Sequence, residues 1–175
     1  MPADNRMSTS GGRDDVRAET FYSSTVGHDW LDALDHVNFL EYQRAADKAT
    51  DQFWYAVGGA PATDADATLS LVIIETHVRY LRELRLGDPV EVRTRIVGFD
   101  ARRLHLEHAL LRRDELSCTI QVLALAFDRG ARAAGHWPEA MLRAFAGRCE
   151  QPQATRVPGF ARDSLGADPR TAGPR

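Results

Sequence analysis

Residues 38–57 read NFLEYQRAADKATDQFWYAV and run directly into Gly58-Gly59. Phe39, Tyr42, Ala46, Ala49, Phe53 and Ala56 recur at spacings of three and four, while Glu41, Arg44, Asp47, Lys48, Asp51 and Gln52 fall mostly between them. One apolar stripe on an otherwise polar rod predicts an amphipathic helix. Asn38 stands where an N-cap belongs, and the glycine pair breaks the pattern at the other end. About nineteen residues at ~1.5 Å each give a rod of roughly 28 Å, which needs an apolar surface to lie on.

That surface is written in the residues that follow. After a Gly/Pro/Asp/Ala loop over residues 58–68 the period changes from 3.6 to two. Val72, Ile74, Thr76, Val78 and Tyr80 alternate with Ile73, Glu75, His77, Arg79 and Leu81, and Val90, Val92, Thr94 and Ile96 alternate with Glu91, Arg93, Arg95 and Val97. Leu104, Leu106, His108 and Leu110 mark a third strand, and Leu116 to Phe127 a longer fourth. The connectors carry turn residues and are too short for a parallel crossover, so an antiparallel meander of four strands is expected. A further strand is expected before the helix, around Phe21 to Gly27, and a short terminal helix from Pro138. A single helix stripe and a single sheet face bury each other only if the sheet curls around the helix. The fold class is therefore α+β, a curled antiparallel sheet wrapped around one long central helix.

Composition narrows the function classes. The 175 residues are 43% hydrophobic, which suits one compact domain. Residues 1–18 and 150–175 are poor in large apolar groups and read as disordered tails around a folded domain at 19–149. With 22 basic against 25 acidic residues the formal net charge is −3, which argues against nucleic-acid binding through overall charge. No run reaches the ~18 apolar residues of a membrane span, and residues 1–18 lack the apolar core of a secretory signal, so a cytoplasmic protein is expected. Cys118 and Cys149 have neither metal-ligand spacing nor disulfide-scaffold density. His105 and His108 alternate in facing along one strand without a completing ligand, so no metal site is expected.

The chemistry sits just before the helix. Trp30-Leu31-Asp32-Ala33-Leu34-Asp35-His36-Val37-Asn38 puts two carboxylates, an imidazole and a carboxamide at the mouth of a helix N-terminus. First-turn amides there carry partial positive charge and can polarise a carbonyl. Asp32 can activate water or attack that carbonyl, and His36 can orient an acyl group or move a proton. Each residue also has a plainer use, Asn38 as a cap and Asp32 and Asp35 as turn formers.

In this motif the chain resembles the hotdog thioesterases of the 4-hydroxybenzoyl-CoA thioesterase-like group, most closely the acyl-CoA thioesterases similar to betainyl-CoA thioesterase. The resemblance runs through Trp30-Leu31-Asp32, His36-Val37-Asn38, Tyr42, Asp47 and Ala49-Thr50-Asp51. It continues in Glu75 to Leu84, Gly87-Asp88-Pro89-Val90 and Arg103-Leu104-His105, covering roughly residues 24 to 147. It implies an acyl-CoA thioesterase with Asp32 as the catalytic aspartate, His36 and Asn38 beside the thioester, and Tyr42 and Gln121 in contact with substrate. It implies no cofactor beyond the coenzyme A of the substrate, and homodimers or homotetramers with sites at the subunit interface. Two positions depart from the group. Asp35 replaces a usual glycine, which alters the charge beside His36 or the loop, and Gln121 stands where relatives often carry a glutamate. Those departures keep open a non-catalytic acyl-CoA or small-ligand binding protein, and a thioesterase acting on acyl carrier protein remains a further alternative.

Overall fold

The computed structural model describes residues 18–149, so both compositional tails, apart from residue 18, lie outside the described residues. Strand β1 (Glu19–Thr25) leads through a short 3-10 turn (His28–Trp30) and a tight loop into helix α1 (Phe39–Ala56). Four long strands follow, β2 (Leu69–Tyr80), β3 (Pro89–Phe99), β4 (Arg103–Arg112) and β5 (Glu115–Asp128). A two-residue strand β6 (Ala133–Ala134) and helix α2 (Glu139–Arg148) complete the described chain.

The expected meander is corrected by the sheet order, β1-β3-β4-β5-β2, all neighbours antiparallel. Strand β2 runs antiparallel to β3 in direction, as a short connector demands, but lies at the opposite edge, paired with β5 from Leu69↔Asp128 to Tyr80↔Cys118. The connector 81–88 can span the sheet end because Leu84 is fully buried beneath the start of α1, where its carbonyl accepts from Val37 N at 3.2 Å. Strand β1 then occupies the free edge of β3. Bulges at Thr20/Tyr22, Ile73/Glu75 and Ile96/Gly98 add bend to the strands that carry them.

The terminal helix expected from Pro138 is present as α2, and it shares the core with α1. Ala45, Ala46 and Ala49 are buried on α1, and such small residues let a helix lie close to the strands beneath it. Phe53, also on α1, meets Phe21 edge-on at 5.6 Å and stacks on Phe145 of α2 at 6.3 Å. Buried rings of this size each contribute about 1.5–3 kcal/mol by leaving water. The buried stripe is rotated from the one expected. Phe39 and Ala56 are exposed at its ends, while Ala45, Thr50 and Trp54 join it. The rotation brings Thr50 against the sheet, where it meets His108 of β4.

The result is a curled antiparallel sheet with helices on one face, a hotdog-like arrangement. At its β2 edge Val72, Ile73 and Ile74 are exposed in succession. No helix among the described residues is long and apolar enough to cross a membrane.

Candidate active site

Between the 3-10 turn and α1 the chain folds back on itself. Asp32 N donates to His36 O at 2.8 Å, Asn38 N donates to Trp30 O at 2.8 Å, and Leu31 and Val37 form an antiparallel bridge. Asp32 closes the loop with its side chain, since Oδ1 accepts from Leu34 N at 2.8 Å and from His36 N at 3.4 Å. An aspartate whose oxygen takes an amide two residues on is an Asx turn, so the plainer use of Asp32 is realised. Only one oxygen is spent on it. Oδ2 has no hydrogen-bond partner among the described residues.

Asn38 caps α1, its Oδ1 accepting from Leu40 N at 3.0 Å and its backbone carbonyl from Glu41 N at 2.9 Å. That leaves the Phe39 amide as the first-turn donor without a partner among the described residues. An outward-pointing N–H at the positive end of an 18-residue helix is a ready site for a carbonyl oxygen that gains negative charge. Leu34, Phe39 and Leu40 are exposed around it and form an apolar rim.

Asp35 adopts φ 59°, the left-handed region that glycine enters freely and that aspartate tolerates better than most residues. The loop therefore makes a turn that glycine would also satisfy. Asp35→Gly is expected to preserve the fold and to change unfolding free energy by less than about 1 kcal/mol, because relief at positive φ is offset by the freer unfolded chain. Urea denaturation of the two proteins checks this, and a loss well beyond that figure would mean the Asp35 carboxylate supports the loop.

His36 lies beside the same turn, with Nε2 3.2 Å from Glu83 Oε2. Glu83 reaches the site from the connector 81–88. Sequence reading passed over it because its placement depends on β2 lying at the far edge of the sheet.

The other two expected contacts have different partners. Tyr42 is buried and its hydroxyl accepts from Leu84 N at 3.0 Å; burial pushes the phenol's pKa up, although that amide pulls the other way. Gln121 points to the sheet face opposite the helices, where its Nε2 donates to Glu107 Oε2 at 2.9 Å. Burial raises the Glu107 carboxyl, but hydrogen bonds from Gln121 and Arg95 outweigh it and hold the pKa below the usual range. Arg95, Glu107 and Gln121 thus form a cross-strand polar ladder over β3, β4 and β5.

A cavity of about 290 Å³ opens along α1 one turn beyond the polar loop. Leu40, Gln43, Asp47 and Thr50 of the helix face Ile73 of β2 and Ile120 of β5 across it. Asp32, His36, Asn38, Tyr42 and Gln121 do not line it. Polar turn and cavity are thus neighbours along one helix, with Leu40 between them.

Beneath the cavity lies a buried polar chain. Thr50 Oγ1 donates to Ala46 O at 2.9 Å, so it accepts from His108 Nε2 at 3.1 Å, and His108 Nδ1 accepts from Thr94 Oγ1 at 2.9 Å. His108 is fully buried, and desolvation pushes its pKa down to about 4 against a small opposing pull from Glu107. His105, three residues earlier on β4, takes the opposite face by strand alternation. Among the described residues no group of three or more His, Cys, Asp or Glu side chains is placed to hold a metal ion.

Comparison with known proteins bears on the family and the fold. A family model described as the thioesterase-like superfamily matches residues 26–145. The chain is 32% identical over 148 residues to an L-carnitine dehydrogenase/betainyl-CoA thioesterase of Agrobacterium fabrum, covering 81% of this chain and 29% of that protein. It is 36% identical over 92 residues to the betainyl-CoA thioesterase of Pseudomonas aeruginosa, covering 52% and 57%. The chain thus spans less than two thirds of either relative's length. A Staphylococcus aureus protein solved in complex with CoA superposes with a TM-score of 0.69 at 25% identity, over 75% of this chain and 87% of that one. A putative thioesterase of Pseudomonas putida gives a TM-score of 0.67 at 28% identity, over 86% and 97%.

Proposed function

The chain belongs to the thioesterase-like superfamily, and from that membership we propose that it hydrolyses an acyl-CoA thioester to a carboxylic acid and free coenzyme A. One observation carries the reading. The Asp32 carboxylate is held by one oxygen and open at the other, on the same short loop that delivers the unpartnered Phe39 amide. Asp32 Oδ2 takes a proton from water, or attacks the carbonyl carbon itself, while the Phe39 N–H receives the oxyanion. Collapse of the tetrahedral species breaks the C–S bond, and the thiolate of coenzyme A takes up a proton; on the nucleophilic route the acyl group is then held on Asp32 as a mixed anhydride, which water cleaves to release the carboxylic acid and restore the carboxylate. His36 orients the acyl group or moves that proton. Asn38 serves by capping the helix that supplies the amide, and Tyr42 and Gln121 are held as substrate contacts beside their partners Leu84 and Glu107. The route draws on no metal or redox group.

We place the acyl group in the cavity along α1, taken as the central helix of a hotdog fold with α2 as additional cover. The names of the two bacterial relatives suggest a small polar acyl chain. The active unit is a homodimer or homotetramer in the cytoplasm. The exposed β2 edge with Val72, Ile73 and Ile74 and the rim of Leu34, Phe39 and Leu40 support this, because unpaired strand edges and contiguous apolar patches favour association. A second subunit there would close the open side of the site.

The test is release of free thiol from a panel of acyl-CoA esters with short, branched, aromatic and quaternary-ammonium acyl groups. Turnover above the spontaneous rate on at least one is expected. Binding without turnover would identify a ligand-binding protein instead, and strong preference for a carrier-protein thioester over its coenzyme A counterpart would move the substrate to acyl carrier protein.

A further inference from the structure

The connector 81–88 brings a second carboxylate to the polar turn and holds it there. Glu83 Oε2 lies 3.2 Å from His36 Nε2, while Oε1 accepts from Arg85 Nε at 2.8 Å. The next residue, Leu84, is fully buried and tied at both backbone groups, its amide to Tyr42 Oη at 3.0 Å and its carbonyl to Val37 N at 3.2 Å. One residue further, the Arg85 amide donates to Asp88 Oδ2 at 2.9 Å. The Glu83 backbone is therefore set by anchors that owe nothing to the Glu83 carboxylate, one of which bonds to the residue after His36. A surface ion pair between two free side chains contributes little, since ordering both offsets the attraction. Here the fold has already fixed the backbone from which one partner extends.

We propose that Glu83 is a positioning residue for the thioester chemistry, an assignment that rests on the function proposed above. Its carboxylate decides which way the His36 ring turns and which nitrogen carries the proton. With Nε2–H donated to Glu83, Nδ1 becomes the nitrogen left to accept a hydrogen bond from substrate or from the departing group's proton donor. Arg85 braces the far side of the carboxylate through two of its nitrogens, which favours the orientation that faces His36. His36 and Glu83 are each close to half exposed, which leaves the ring within reach of a ligand and limits the effect to a moderate one. Glu83 acts through His36 and touches no reacting atom.

The experiment is a double-mutant cycle on the full chain, read by steady-state thiol release with the best substrate of the panel. Glu83→Gln is expected to lower kcat by about fivefold to tenfold with KM changed less than about twofold, since the interaction matters at the reacting centre and not for affinity. In a His36→Ala background the same substitution should change kcat by less than about 1.5-fold, because its target is gone. Equal losses in both backgrounds overturn the assignment, as does a His36→Ala protein with undiminished kcat. Long-range ¹H–¹⁵N spectra supply a readout independent of turnover. His36 should be an Nε2–H tautomer in the parent and a mixture in Glu83→Gln, and identical spectra also overturn the assignment. If the parent releases no thiol from any ester, the function falls and this assignment with it. If Asp32→Asn abolishes turnover while the cycle is additive, only the role of Glu83 falls.

Discussion

Asp32→Asn is expected to lower kcat/KM for thioester hydrolysis by about a thousandfold, in the range that removing a general base or nucleophile produces, while the melting temperature stays within a few degrees. Asparagine is the informative choice. Its Oδ1 still accepts from the Leu34 and His36 amides, so the turn that Asp32 builds survives, whereas the second oxygen becomes an amide nitrogen that neither takes a proton nor attacks a carbonyl. Asp32→Ala removes turn and chemistry together and separates nothing alone. If asparagine supports full turnover, Asp32 is only a turn former and the reaction needs another base.

Below neutral pH, stability is expected to fall for a reason located in one residue. His108 titrates at about 4 in the folded chain and near 6.5 when unfolded, so between those values the unfolded state binds more protons. Stability therefore rises with pH through that window and is lost as pH drops below about 6.5. From pH 7 to pH 5 the loss attributable to His108 is about 2 kcal/mol. Protonation at Nδ1 would also set a donor against the Thr94 hydroxyl that now donates to it. Urea denaturation of the parent and of His108→Leu at both pH values isolates the contribution. The variant is less stable at pH 7, since a Thr94 donor is left unsatisfied, but its stability should decline by about 2 kcal/mol less on acidification. Parallel declines would mean that His108 does not carry the acid sensitivity.

The elements were largely legible and their arrangement was not. Asn38 and Gly58-Gly59 bracketed α1 to within a residue or two, because cap and breaker are local chemistry, and period-two runs located the four long strands. Which strand lies beside which is decided by long-range burial. The short link after Tyr80 was read correctly for direction and wrongly for neighbourhood, because nothing local in residues 81–88 distinguishes a hairpin from a passage under the helix. The phase of the helix stripe was off because Ala45, Thr50 and Trp54 carry weak or mixed hydrophobic signals, while Phe39 is apolar yet exposed. At the site, Asp32, His36 and Asn38 are close in sequence and could be seen together. Glu83 could not, since it meets His36 only through the crossing, and the Glu107 partner of Gln121 depends on strand register, which no local signal fixes.

Strand β2 also has a kinetic consequence. Thr76 pairs with Val122, forty-six positions later, so an apolar, β-branched strand leaves the ribosome well before its partner is made. The β3–β4–β5 hairpins close over short loops and should form first, offering β5 as a template onto which β2 zips last. Until then, the segment containing Val72, Ile73 and Ile74 is the part of the nascent chain most prone to aggregate, and a lowered synthesis temperature should raise the soluble yield.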